Sequence, residues 1–289
     1  MQGEFTALGI ASDTFNGHLW LSKALIRSRQ KNLYARVDLA RKHARTKIRG
    51  RERSKDELAV LSFEANYDSV DARWAGLNAA FVQYSHGFND LLGAMGDETD
   101  ADNASVPPSR RGGNGNFASG EFDKIFLSLS RLQSLTPISQ KLRHHSLLFR
   151  GELQWSDGLL VPIEQYAIGG PNNVRAYQPT EAVFDRAFFV SVEYIVNAPG
   201  FADKPSPFGN RTWGELVQVS AFYDVAAGRL NSPLASEEHA QNYNGVGFAL
   251  SFTNPNIMSA RLTLATQVNG PESDNQRDPQ YWLDFNFYY

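Results

Sequence analysis

The sequence ends with YWLDFNFYY, residues 281–289, in which every odd position carries an apolar or aromatic side chain. The even positions are polar or amphipathic: Trp282, Asp284, Asn286 and Tyr288. Because successive side chains of a β-strand point to opposite faces, this alternation predicts a strand with one oily face. A strand of a soluble β-sandwich shows the same pattern, so the segment predicts a strand without fixing its surroundings.

The same period of two recurs upstream, so that the sequence predicts twelve strands and an all-β fold. The clearest upstream strands are predicted at residues 147–155, 188–196, 217–225, 246–252 and 260–268. Weaker ones are predicted at residues 5–10, 18–25, 33–42, 58–67, 77–84 and 124–131. Leu, Ala, Lys and Arg are frequent between Leu19 and Lys47, so an amphipathic helix is the alternative for that stretch.

The connections between the predicted strands alternate in length. Reading back from the C-terminus, the long ones are 269–280, 226–244, 156–186, 87–121 and 44–56. Those between them are generally shorter, with 198–215 as the exception. Long loops at one end and short turns at the other are typical of transmembrane β-barrels, whose strands need only about 9 to 11 residues. We therefore expect an antiparallel transmembrane β-barrel.

The segment 88–121 is rich in Gly, Asp, Asn, Ser and Pro and shows little periodic apolar character. Such composition favours loop structure, because it offers few apolar side chains to bury. The sequence predicts a long mobile loop here.

The net charge of -3 gives no overall attraction to nucleic acid, and we expect no nucleic-acid partner. Locally, Arg27 to Lys55 contains twelve Lys or Arg against Asp38 and Glu52. These cations would bind an anionic surface if they shared one face. The alternative is a solvated loop with polar strand faces.

Few residues invite a catalytic interpretation. Ser85-His86 and His144-His145 are the serine and histidine groupings, and neither has a third residue placed to orient a base. The six histidines lack metal-ligand spacing, and there is no cysteine, which fits a chain that crosses the periplasm. The sequence predicts no enzyme, no metal site and no cofactor, although an outer-membrane enzyme and a soluble carbohydrate-binding sandwich are rival classes.

The connection 156–186 contains EQYAIGGPNNVRAYQPTEAVFDR, residues 164–186. This stretch resembles the lid-loop signature of two-partner secretion transporters of the haemolysin-activator type, within the superfamily of polypeptide-transporting barrels. The matching residues are Gly169, Gly170, Val174, Arg175, Ala176 and Tyr177, with Asp185 before the next strand. Ala176 stands where the family pattern has glycine, which restricts the backbone there.

A second match lies in LVQVSAFYDVAAG, residues 216–228, where Phe222 and Asp224 resemble the barrel-wall motif that receives the lid arginine. Both share parity with Gln218 and Ser220, so both are expected to face the lumen. The resemblance extends over about Leu77 to Tyr289 and is weak before that.

The resemblance implies a 16-stranded barrel preceded by a plugging helix and two periplasmic polypeptide-transport-associated domains. We expect residues 1–289 to be the C-terminal barrel portion, with about 12 of the 16 strands, a lid loop at 156–186 and no N-terminal domains. The first residues, MQGEFTALGIASDTF, lack the pattern of a signal peptide, so we expect the true N-terminus to be missing. The implied location is the bacterial outer membrane.

The resemblance also implies export of a secreted exoprotein through the lumen, gated by a lid loop whose Arg175 meets Asp224. In a water-filled lumen such a pair contributes only about 0 to 1 kcal/mol at the exposed limit and more if it is partly desolvated, so Val174, Tyr177 and packing on Phe222 must help to hold the loop. The other implied partners are outer-membrane lipid, lipopolysaccharide and the barrel-assembly machinery, through the strand ending at Tyr289. One alternative is a barrel-assembly factor, and another is that Arg175 and Asp224 only support assembly.

Overall fold

The computed structural model describes residues 9–255 and 257–288. Eleven strands form one sheet within these residues, and each is antiparallel to its neighbours. In chain order, the first six are β1 (Ile10–Arg27), β2 (Lys31–Ile48), β3 (Arg51–Asp71), β4 (Gly76–Phe88), β5 (Phe122–Ser134) and β6 (His145–Ser156). The other five are β9 (Arg186–Asn197), β10 (Val217–Arg229), β11 (Ala240–Asn254), β12 (Met258–Asn269) and β13 (Gln280–Phe287).

Two short strands, β7 (Tyr166–Ile168) and β8 (Ala182–Phe184), pair with each other between β6 and β9. The described residues also form two short helices, α1 (Glu98–Asn103) and α2 (Trp213–Leu216), and 3-10 turns at Leu91–Gly93 and Gln140–Leu142. No helix among the described residues is long and apolar enough to cross a membrane.

The sheet confirms the strand predictions that it can test. Ten of the twelve predicted segments lie within its strands, the segment 281–289 lies in β13 as far as Phe287, and the segment 5–10 lies mostly outside the described residues. The helical alternative between Leu19 and Lys47 is wrong, because β1 and β2 pair residue by residue there, with Leu19 opposite Leu39. β1 and β13 are the edges of the sheet and do not pair with each other in the described residues.

The two faces of the sheet have inverted polarity relative to a soluble protein. Along β9, Phe188, Val190 and Val192 are exposed, whereas Ser191 and Glu193 on the other face are buried. The alternation in sequence left open which face was which, and the structure shows that the apolar face is the outer one. Exposed apolar side chains around a polar interior are the arrangement of a membrane barrel.

The basic segment Arg27 to Lys55 does not form one cationic face. Arg36 and Lys42 lie on the inner face, where they contact Asp38 and Glu164. Arg45 has the opposite parity on β2 and pairs with Glu52. Binding of an anionic surface required these cations to share one face, and they do not. The alternative, that the basic residues belong to polar strand faces, describes them better.

The main apolar core lies between the inner face of the sheet and the connection from β6 to β9. It is formed by buried side chains that include Ile168, Val174, Tyr177, Phe189, Phe222 and Tyr243. The sheet thus folds around its own loop, and this loop carries the predicted site.

Candidate functional site

The connection from β6 to β9, residues 156–186, turns back through the β7–β8 hairpin, and we keep for it the name lid loop, which the resemblance in sequence suggested. Gly169 and Gly170 have φ values of 100° and 101°, a region that residues with a side chain rarely adopt. A Cβ atom on Gly169 would also collide with the carbonyl oxygen of Gln178. The backbone N–H of Gly170 donates to the carbonyl of Tyr177 at 3.0 Å, which closes a compact tip around Arg175.

Arg175 and Asp224 form a bidentate pair on the inner face. Arg175 Nε donates to Asp224 Oδ2 at 2.8 Å, and Nη2 donates to Oδ1 at 2.7 Å. The backbone N–H of Arg175 also donates to Oδ2, at 3.1 Å. Two parallel hydrogen bonds fix the orientation of a guanidinium as well as its charge.

Glu193 supplies a second carboxylate to the same guanidinium, since Arg175 Nη1 donates to its Oε2 at 2.6 Å. The other oxygen of Glu193 accepts hydrogen bonds from Ser220 and Arg261, each at 2.6 Å. Ser191 accepts from Arg175 Nη2 at 3.1 Å and donates to Asp224 Oδ1 at 2.7 Å. The cluster therefore joins one residue of the loop to β9, β10 and β12.

This cluster is buried rather than exposed in a water-filled channel. The side chains of Arg175 and Asp224 are 3% and 0% accessible. The exposed-limit value for an ion pair does not apply here, because removing one partner of a buried pair costs about 3 to 5 kcal/mol. Loss of either partner is therefore expected to cost more than loss of an exposed pair, because it leaves the other charge buried and unpaired.

Apolar contacts of the loop tip accompany the ion pairs. The guanidinium carbon of Arg175 lies 3.3 Å from the centre of the Phe222 ring, in cation–π geometry. Val174 and Tyr177 are fully buried beside it, and Trp282 Nε1 donates to the carbonyl of Arg175 at 2.8 Å. Burial raises the pKa of Tyr177 to about 12, so its hydroxyl stays protonated at neutral pH.

Ala176 fits its position without backbone strain. Its φ angle does not lie in the left-handed region, and its side chain is fully buried. A Cβ on Gly245 of β11 would lie only 2.6 Å from the Ala176 methyl. The alanine methyl thus occupies the space that Gly245 leaves open, and the restriction expected at this position has no cost in the structure.

Two further carboxylates fix the two stems of the lid loop. Glu164 in the first stem binds Lys42 of β2 at 2.6 Å and also binds Lys124 of β5. Burial opposes ionisation of Glu164, but the two ammonium groups outweigh it and lower the pKa of its carboxyl. The lid loop is therefore bound to β2 and β5 through Glu164 and to β9 and β10 through Arg175.

Asp185, at the end of the second stem, is fully buried. Its carboxylate binds Arg110 through Nη1–Oδ1 and Nη2–Oδ2 distances of 3.2 and 3.0 Å. It also accepts from the backbone N–H groups of Leu160 and Asn231. Burial raises the pKa of the Asp185 carboxyl, and the Arg110 charge with these donors opposes that shift.

All eight predicted site residues lie together in or beneath the tip of the lid loop, including Gly169 and Gly170 at its turn. The residues that sequence reasoning missed are Glu193, Ser191, Arg261 and Trp282 around Arg175. Glu193 and Ser191 could have been found, because their parity on β9 places them on the inner face. Arg110 belongs to the segment predicted as a mobile loop, yet it is buried, which corrects that prediction for this part of the segment.

The outward apolar face and the inward loop define a transmembrane β-barrel, and a family match places it in the outer membrane. A family model described as haemolysin secretion/activation protein ShlB/FhaC/HecB matches residues 1–208. The chain therefore belongs to the haemolysin secretion/activation family. The match includes the first part of the chain, where the resemblance in sequence was weak, and it contains the lid loop.

Solved structures with a similar fold include CdiB from Acinetobacter baumannii, with a TM-score of 0.57 and 14% identity. The match covers 96% of this chain and 42% of CdiB, so the chain spans less than half the length of that protein. BamA from Haemophilus ducreyi lacking POTRA domains 1-3 gives a TM-score of 0.44 and 11% identity over 94% of this chain and 61% of that one. At this identity the CdiB match shows the fold alone. No curated protein matches the chain.

Proposed function

We propose that this chain forms the wall and the lid of a channel that exports a partner protein across the outer membrane. The lid loop closes the channel at rest, and the Arg175–Asp224 pair is its latch. Membership of the haemolysin secretion/activation family supports the class of activity. The partner is a secreted exoprotein, which passes unfolded and is drawn outward by its own folding outside the cell.

The observation that carries the proposal is the buried position of Arg175 between two wall carboxylates. A loop residue that only stabilised the loop would not need Asp224 of β10 and Glu193 of β9 as acceptors. When the loop moves away from the wall, water reaches these carboxylates. The Arg175–Asp224 pair can therefore break without leaving an unpaired charge in a buried site. An ion cluster of this kind allows two stable positions of the loop, closed and displaced.

The outer face supports the proposed lipid partners. Exposed apolar side chains of one parity, such as Val190 and Phe248, face the hydrocarbon of the membrane. We propose that lipopolysaccharide surrounds the barrel on the long-loop side. The strand that ends near Tyr289 is the proposed contact for the barrel-assembly machinery, and Tyr289 itself lies outside the described residues.

Secretion by cells that carry the full-length protein tests the proposal. Arg175→Ala and Asp224→Ala should each reduce the amount of exoprotein in the culture medium, because breaking the ion pair changes the equilibrium between the closed and open positions of the lid loop. Arg36→Ala is the matched control, since Arg36 binds Asp38 on its own strand and does not touch the lid loop. Outer-membrane fractions should contain all three variants in equal amounts. Normal secretion in both lid-pair variants would contradict the latch.

A further inference from the structure

The connection from β4 to β5 contains a segment, residues 104–121, that we call the strap. At one side it is tied to β3. The backbone N–H of Ser109 donates to Asp56 Oδ1 at 2.8 Å, and its hydroxyl donates to Oδ2 at 2.6 Å. The backbone N–H of Lys55 donates to the carbonyl of Pro107 at 3.0 Å.

The strap is tied at its other side to the loop between β10 and β11, residues 230–239. The backbone N–H of Gly113 donates to the carbonyl of Ser232 at 2.7 Å, and Arg110 Nη2 donates to the carbonyl of Asn231 at 3.3 Å. Four strands, β4, β5, β6 and β9, separate β3 from β10 in the sheet. The strap therefore crosses the end of the barrel instead of following its rim.

The strap also holds the lid loop directly, through the buried Arg110–Asp185 pair. The Asp185 carboxylate receives donors from Arg110 of the strap, from Leu160 and Gln165 of the lid loop and from Asn231. One carboxylate thus joins three separate segments of the chain. Because a buried carboxylate left without its guanidinium is costly, this pair favours joint movement of strap and lid.

Apolar packing between the strap and the first stem of the lid loop continues this contact. Ala118 of the strap and Phe122 just after it belong to one buried cluster with Leu160 and Val161 of the lid loop and with Leu58 and Val60 of β3. The first stem therefore lies between the wall and the strap. This packing is a further contact that holds the first stem against the inner face.

We propose that the strap is the second part of the closure and that Arg110 is the positioning residue that couples it to the lid loop. The channel opens when the strap is released from β3 and the lid loop follows. This inference rests on the proposed function, because it concerns the regulation of the same channel.

A reversible bridge between the strap and the wall tests the inference directly. The chain has no cysteine, so Ser109→Cys with Asp56→Cys provides two thiols at contacting positions. A short bis-methanethiosulfonate reagent bridges them, and a reducing agent removes the bridge. The control is Ser62→Cys with Ser85→Cys, whose hydroxyls lie 2.8 Å apart across β3 and β4 and whose bridge staples the wall alone.

The readout is potassium chloride current through the full-length protein in planar lipid bilayers, which requires no exoprotein. Bridging the strap should lower the frequency of openings by about tenfold or more, and reduction should restore it, while the wall bridge changes nothing. Equal opening with and without the strap bridge would overturn the inference. An equal loss in the wall-bridged control would also overturn it.

A pair of neighbouring substitutions gives a second test. Arg110→Ala should increase openings by about tenfold, because the strap no longer holds Asp185. Arg111→Ala is the matched control, since Arg111 is exposed and its hydrogen bond among the described residues stays within the strap, to the carbonyl of Gly115. Heat-modifiable migration on a gel shows that both variants fold. An equal frequency of openings in the two variants would overturn the inference. Failure of the proposed function would be seen in a different experiment, as normal secretion of the exoprotein by the Arg175→Ala variant.

Discussion

The inner face of the sheet differs between its two sides. At β9 and β10, Asp224 and Glu193 are covered by the lid loop and bind a residue that comes from that loop. At β1 and β2, Asp38 binds Arg36 of its own strand and His18 of the next, and Trp20 beside them is 56% exposed. The lid loop also reaches β2, but there Glu164 binds Lys42, and Asp38 takes no part in the contact. The two aspartates therefore differ in one respect that can be tested: only Asp224 binds the loop.

The largest expected difference is between two wall carboxylates of the same type. Asp224→Asn should shift the equilibrium towards the open channel by about a hundredfold, since breaking a buried ion pair costs about 3 kcal/mol or more. Asp38→Asn removes a pair that lies within the wall, so openings should be unchanged. Channel current in planar bilayers measures both. Equal effects of the two variants would show that closure does not depend on the lid side.

A smaller difference is expected between two glutamates. Glu164→Gln removes the negative charge that binds Lys42 and Lys124 in the first stem of the lid loop. Lys42 is 21% exposed and can turn to water, and Lys124 keeps the backbone carbonyl of residue 164 as an acceptor at 3.1 Å, so the shift towards opening should be only about tenfold. Glu64→Gln is the control, as Glu64 contacts Arg36 and Gln83 within the wall. Limited proteolysis of the lid loop measures the release, and equal cleavage of both variants would contradict this assignment.

The smallest difference is expected between two tryptophans. Trp282→Phe removes the 2.8 Å hydrogen bond to the carbonyl of Arg175, a neutral bond with a net contribution of about 0.5 to 1.5 kcal/mol. Openings should rise a few-fold. Trp20→Phe keeps an aromatic ring near Arg36 and should have no effect, because Trp20 packs on Arg36 and Arg36 binds Asp38 and not the lid loop. A larger rise in the frequency of openings for Trp20→Phe than for Trp282→Phe would contradict the assignment of closure to the lid side.

The strands could be predicted because their information is local. In β9 the parity of Ser191 and Glu193 follows from alternation alone, and the same holds for Phe222 and Asp224 in β10. The lengths of β2 and β3, 18 and 21 residues, could not be read in this way. Their ends extend beyond the roughly 9 to 11 residues that a membrane requires, and polar residues there break the oily pattern.

The partners of loop residues could not be predicted, because they depend on contacts between distant parts of the chain. Arg110 lies in a stretch whose composition indicates a loop, and nothing near it in sequence points to Asp185, 75 residues away. Arg175 and Asp224 were paired only through resemblance to a family motif. The second acceptor, Glu193, had the right parity but no motif, so its role in the cluster came from the structure.

The most direct test of the lid latch is a double-mutant cycle on Arg175 and Asp224, read as the frequency of channel openings of the full-length protein. Each single alanine variant breaks the same pair, so Arg175→Ala combined with Asp224→Ala should open no more often than the stronger single variant. Effects that simply multiply would show that the two residues act independently and would contradict the latch.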